Sequence, residues 1–477
     1  MHHLARITSP LACAVLGATL LPLPATAVSN EQLLQELKRL AARVEQLEAA
    51  NRKLEAALQQ APAMADATGR IARVEQAVAT MQQQPASKLA SALQGVSATG
   101  SLLLVAQRAA RGTTNGQKER QLNYRADADV TLPGGKLGSA EGKFYAHFRA
   151  GQGNGLANLN PSLTGGVNAT ALQLTNGDDS AAILAQAWYQ LDVPLSSAAA
   201  PASRLEITVG KMDPTNFFDQ NALAHDESGS FLNSVFVHNP LLDSGGDAGV
   251  DTYGFTPGLR LGYYTDAATA NHWGLSLGVF GSGNGASFDT SLTDPYVIGQ
   301  AEYHGPVLGA RPGSYRLYAW RNGRSTPFNN ASDGAREKHT GWGLSLDQPV
   351  AEHLGLFARY GKSTAGQVIF HRAFTLGGQL AGGRWGRPDD RFGFAQGWLR
   401  PSAAFKTAAP ALDADADGNL DFDFTPGGAE RQTELFYRWQ INEHLALSPD
   451  AQWVRRPGGD AATRSITVWG LRLKAAF

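Results

Sequence analysis

The chain of 477 residues contains one cysteine, Cys13, and it lies in an N-terminal segment that reads as a secretory signal. A mature chain without thiols has no disulfide framework and no cysteine-ligated zinc or iron–sulfur site. Charge is also scarce. Only 17% of residues are charged, and 41 Lys+Arg stand against 42 Asp+Glu for a formal net charge of -1. That balance excludes bulk-charge binding to nucleic acid. After the signal, no apolar run is long enough for a transmembrane helix. Neither a G-x-S-x-G elbow nor an H-E-x-x-H helix is present, so no catalytic constellation is assigned. What the chain has instead is 53 Gly, 9 Trp and 12 Tyr, a composition suited to many short strands joined by turns.

The signal has Arg6 as its positive end, an apolar run from Leu11 to Leu21, and the small-x-small sequence Ala25-Thr26-Ala27, which places the mature start at Val28 after a signal of 1–27. Leu33, Leu37, Leu40, Val44, Leu47, Asn51, Leu54 and Leu58 then alternate spacings of four and three. This heptad seam predicts a coiled coil over 28–61, with Asn51 as a polar residue that fixes register. Arg43 and Glu48 occupy positions that pair between parallel chains. The expectation is a periplasmic coil that joins barrels as homo-oligomers, most simply trimers. The bland alternative is one amphipathic helix lying on another surface. Pro62 ends the pattern, and 62–96 reads as a linker with a short helix marked by Ile71, Val74, Val78 and Met81.

From about Ser97 the period changes to two. In the terminal "RSITVWGLRLKAAF", Trp469, Leu471, Leu473, Ala475 and Phe477 share one parity, and Gly470, Arg472, Lys474 and Ala476 the other. Counting back from Phe477 gives about sixteen such segments, from 98–109 to 464–477, joined by connections that alternate short and long. An even number of strands, apolar out and polar in, predicts an all-β transmembrane antiparallel barrel over 97–477, with short turns in the periplasm and long loops outside. Phe144, Ala146 and Phe148 face lipid, while Lys143, Tyr145, His147 and Arg149 face the lumen. Arg125, Asp127 and Asp129 share that inward parity on the preceding strand. A soluble sandwich alternates in the same way, but it explains neither the signal nor the terminal aromatic.

Four segments carry a family resemblance: "VGKMDPTNFFDQNALAHDESGSFLNSVF", "GLFARYGKS", "GGQLAGGRWGRPDDRFGFA" and "LSPDAQWVRRPGG". Occurring in this order, they resemble the carbohydrate-selective porins of the OprB type, over about 97–477. The resemblance implies an outer-membrane barrel that passes sugars by diffusion. The stretch 212–256 is the longest connection and is rich in Asp, Asn, Gln and His. A large barrel leaves a water-filled channel unless something narrows it, and this loop is expected to fold inward and do so. Inward guanidinium groups facing loop carboxylates would suit polar neutral solutes. The expected contacts are Arg125, Arg149 and Arg359 opposite Asp213, Asp226 and Glu227, with Trp320 as an aromatic face. The bland alternative for any one of them is a bond that merely fixes loop to wall. Two rival functions remain: a porin for other small solutes such as organic anions, and a structural tether whose coil reaches the cell wall. Asp413, Asp415 and Asp417, followed by Gly418, match the first half of an EF-hand loop, but Phe424 stands where the bidentate glutamate belongs. A complete EF-hand is excluded, which leaves a weak Ca2+ site or a solvated acidic loop. No other cofactor is expected.

Overall fold

The computed structural model describes residues 95–477 apart from 112–119, 157–158, 160, 173–176, 196–202, 266–268, 270, 283–292, 330–334 and 414–417. The signal, the heptad segment, all but the end of the linker, and Asp415 and Asp417 therefore lie outside the described residues.

Sixteen strands follow one another: β1 Ser97–Arg111, β2 Arg120–Leu137, β3 Ala140–Gln152, β4 Ser180–Pro194, β5 Ser203–Met212, β6 Thr256–Thr265, β7 His272–Phe280 and β8 Tyr296–Gly305. The second half is β9 Gly313–Ser325, β10 Glu337–Pro349, β11 Leu354–Ala365, β12 Phe370–Ala381, β13 Arg391–Pro401, β14 Glu430–Gln440, β15 Leu445–Arg455 and β16 Ile466–Ala476. Each strand pairs antiparallel with its chain neighbours, and β1 pairs with β16 to close the barrel. Closure leaves no strand edge in the hydrocarbon, where an unpaired N–H or C=O would find no water. The C-terminal residue itself completes the seam, because the Phe477 N–H donates to the Gly100 carbonyl at 2.8 Å and the Phe477 terminal oxygen accepts from the Gly100 N–H at 3.1 Å.

The two faces follow the parity of the sequence. Phe144, Phe148, Trp469 and Leu471 are exposed on the outside, whereas Arg125, His147 and Arg472 are buried inside. No described helix is long and apolar enough to cross a membrane, which has no bearing on a barrel that crosses with strands.

The largest apolar cluster lies inside the barrel. The β5–β6 loop folds into the lumen and packs Phe218, Phe231, Val235, Phe236 and Leu241 against inward Phe280, Ile298, Tyr318, Phe357 and Phe436 of the wall. Glycines on the inward parity make room for this approach. A side chain at Gly361 would collide with Asn239 of the loop, and one at Gly397 would press on Val235. The loop is then fixed by wall side chains that satisfy its buried backbone. Glu434 accepts from the Leu232 and Asn233 amides at 2.6 and 2.9 Å. Arg472 donates to the Glu227 and Ser230 carbonyls at 2.7 and 2.8 Å.

A second inserted segment, between β3 and β4, escaped the sequence reading. Its Leu156, Leu159 and Val167 are buried against Ala109, Val454, Ile466 and Val468. Glu430, one inward step pair from Glu434 on β14, accepts from the Ser162 hydroxyl and the Leu163 amide, both at 2.8 Å. Two carboxylates of one strand thus hold two loops.

Candidate solute passage

The β5–β6 loop packs most of its apolar side chains on β7 to β14, and open space remains beside β1 to β4. A cavity of about 660 Å³ opens toward the long-loop end and is lined by Tyr145, His147, Arg149, Asp213, His225, Glu227, His238 and Phe255, among others. A second, of about 490 Å³, lies toward the short-turn end and is lined by Arg125, Asp127, Asp129, His147, Arg149, Lys474 and Phe477, among others. His147 and Arg149 line both, so the two chambers meet at this pair.

The meeting point is built on the β2–β3 register, which sets Asp127 directly opposite Arg149 and Asp129 opposite His147. Asp127 is the hub. Its Oδ1 accepts from Arg149 Nε at 2.7 Å and from His147 Nε2 at 2.8 Å. Its Oδ2 accepts from Arg125 Nε at 2.7 Å. Arg125 Nη1 then reaches across to Glu227 Oε1 of the loop at 2.7 Å. Burial alone would raise the Glu227 carboxyl, but the Arg125 and Arg149 charges and the Arg125 hydrogen bond draw it down to about 2. Arg149 also lies 5.4 Å from the ring centre of Phe255, in cation–π contact. Two guanidinium groups and two carboxylates therefore face each other at the junction. Such a site offers fixed donors and acceptors without a net charge.

Arg125, Arg149 and Glu227 meet at this junction. Asp213 lines the outer chamber, where its Oδ1 accepts from the Thr215 amide and hydroxyl at 2.8 and 2.6 Å, and burial pushes its carboxyl up. Asp226 is more open: Oδ1 accepts from the Ser228 amide at 2.8 Å, and Oδ2 lies 3.8 Å from Lys474 Nζ. Arg359 and Trp320 correct the expectation, because the structure keeps both out of the passage. Arg359 is 1% exposed and donates to Asp219 Oδ1 at 3.1 Å and to the Phe236 carbonyl at 2.8 Å. Trp320 donates Nε1 to Asp247 Oδ2 at 2.8 Å. Both are covered by the loop they anchor.

The sequence reading placed Asp127 and His147 on the lumen face but not in the site, although their charge and parity were the available signal. It counted His225 among the polar residues of the loop without placing it in the site, and it missed His238 and Phe255. Burial first, and then the His238 and Arg359 charges, lower the His225 ring to about 3. His238 is raised despite its burial, through a hydrogen bond to Asp243 at 3.3 Å. Asp413 accepts from the Gly418 amide at 3.0 Å, and no group of three His, Cys, Asp or Glu among the described residues is arranged to hold a metal ion.

Fold and site together define a porin: a closed sixteen-stranded barrel whose lumen is narrowed by an inserted loop. The model of the carbohydrate-selective porin, OprB family matches residues 113–477, and the chain belongs to that family. Family and fold place it in the outer membrane. The structure of Pseudomonas putida OprB at high pH is similar, with a TM-score of 0.62 and 18% identity, covering 82% of this chain and 96% of that one. The low-pH structure of the same protein gives a TM-score of 0.45 at 13% identity, covering 82% and 95%. An uncharacterized protein of Aquifex aeolicus strain VF5 is 27% identical over 198 residues, 42% of this chain. The chain spans about half the length (50%) of this curated relative.

Proposed function

We propose that the chain passes mono- and small oligosaccharides through the outer membrane by facilitated diffusion, with weak binding where the two chambers meet. The observation that supports this most is the balanced set of Arg125, Arg149, Asp127 and Glu227. Sugar hydroxyls both donate and accept, and such a set answers both needs. An organic-anion porin would instead profit from cations left unmatched, and here each guanidinium already has a carboxylate. A pore must release its solute, so an affinity near millimolar, about −4 kcal/mol, serves better than tight binding. A few hydrogen bonds of about 0.5–1.5 kcal/mol each reach that value. The heptad spacing from Leu33 to Leu58 supports a further part of the reading, association of barrels as trimers through this segment.

Liposome swelling with glucose, a disaccharide and a dicarboxylate of similar size tests the substrate class. The sugars are expected to enter at least as fast as the dicarboxylate. A dicarboxylate that enters much faster than both would assign the pore to organic anions.

A further inference from the structure

We propose that the outer face of the long-loop rim, from β11 to β15, binds the phosphate groups of a phosphorylated lipid in the outer leaflet. The observation is a row of like charges with no carboxylate partner among the described residues. Lys362 of β11 is the direct register partner of Arg372 on β12, and Arg372 is the partner of Arg400 on β13. Arg431 of β14 and Arg455 of β15 are likewise direct partners. Like charges placed opposite each other on one face of a ladder destabilise it. Among the described residues none of the five forms an ion pair with a carboxylate, whereas several cations elsewhere do, as Arg359 does with Asp219 and Lys136 with Glu141. Arg372 Nε turns instead to His371 Nε2 at 3.3 Å.

Their position indicates the kind of anion that fits. Four of the five stand two residues from an aromatic on the same outward parity: Lys362 from Tyr360, Arg372 from Phe374, Arg400 from Trp398 and Arg455 from Trp453. Phe374 and Trp398 stack at 5.5 Å. Outward aromatics of a barrel mark the boundary between hydrocarbon and headgroups, so cations one pleat beyond them sit at headgroup depth. Lys362, Arg400, Arg431 and Arg455 are exposed there, and Arg372 is half-buried. The long-loop end faces the cell exterior in outer-membrane barrels, so the leaflet concerned is the outer one. A free anion would meet these groups only from the aqueous side. A lipid phosphate arrives at their depth while its acyl chains lie along the aromatic row below.

The test uses the full-length chain in maltoside micelles, titrated with fluorescent bis-phosphorylated lipid A, with the same lipid dephosphorylated, and with inorganic phosphate as competitor. The wild type is expected to bind the phosphorylated lipid at least tenfold more tightly than the dephosphorylated one, with no displacement by inorganic phosphate at equal concentration. The variant Lys362→Gln/Arg372→Gln/Arg400→Gln should lose that preference, and Arg372→Lys/Arg400→Lys should keep most of it. Wild type binding both lipids equally would overturn the proposal, as would a triple variant that retains the preference. Displacement by equimolar inorganic phosphate would also overturn it, and would make the rim a site for soluble anions. If the triple variant fails to insert, the two-lipid comparison on wild type still decides. None of these residues lines the passage, so sugar entry in swelling assays should be unchanged and tests the transport reading separately.

Discussion

Arg149 shares one carboxylate with Arg125 and His147 and reaches both chambers, so its guanidinium serves solute contact and charge balance at once. Arg149→Ala is expected to weaken sugar block about tenfold, equivalent to about 1.4 kcal/mol, and to shift ion preference toward cations in the same variant. Current block and reversal potential in planar bilayers read both. Glu227 carries the pH argument. Its folded value near 2 lies below the ordinary 4.5, so its contribution is full above 4.5, declines as pH falls below that, and is lost near 2. The difference in reversal potential between wild type and Glu227→Gln should therefore persist unchanged from pH 7 to pH 4. A difference that fades by pH 4 would mean that Arg125 does not hold this carboxylate. Arg125 and Arg149 could be found from parity and charge, and Glu227 from the polar composition of the long loop. Arg359 and Trp320 could not, because parity gives the face of a strand and not whether a distant loop covers it.

The inserted β5–β6 loop behaves as an element with its own attachment. Asp219 is one of two described non-glycine residues with positive φ, at 56°, and its carboxylate accepts from Arg359, from the Tyr318 hydroxyl at 2.7 Å and from the Asn239 amide. Removing a partner from a buried ion pair costs about 3–5 kcal/mol. Arg359→Ala should fall toward the lower end, since two donors remain on Asp219. The expected outcome is a folded barrel with a looser loop, seen as noisier open-channel current and faster proteolysis between residues 213 and 255. Shortening the loop between Asn216 and Asn233 should go further and raise single-channel conductance; a folded barrel with unchanged conductance would contradict the inward packing. Strand bounds were largely legible: β15 spans 445–455 as the alternation predicts. β2 runs on to Leu137, whereas the alternation in the sequence marks only 121–132, because its register shifts between Pro133 and Lys136 and the turn comes only at Gly138. The β3–β4 insertion was not legible, since its anchors on β14 are more than 260 residues away in sequence.

For the whole barrel, insertion depends on the outward set and loop retention on the inward one, and β16 separates them within two residues. Leu473→Arg, placed toward lipid, should cost about 2–4 kcal/mol if near the midplane and lower the yield of folding into vesicles. Arg472→Leu should insert normally, yet it removes both donors to the Glu227 and Ser230 carbonyls and should loosen the loop. The off-centre route through the lumen has a consequence for how such a pore can change. Most of the apolar packing that holds the plug lies on β7 to β14, with further anchors on β1, β15 and β16, whereas the passage runs beside β1 to β4. Substitutions on β2 and β3 other than at Arg125, which pairs with Glu227 of the plug, can therefore alter which molecules pass while the apolar packing of the plug is untouched. A lineage, or an engineer, can explore new cargo on one side of the cylinder without first repairing the other.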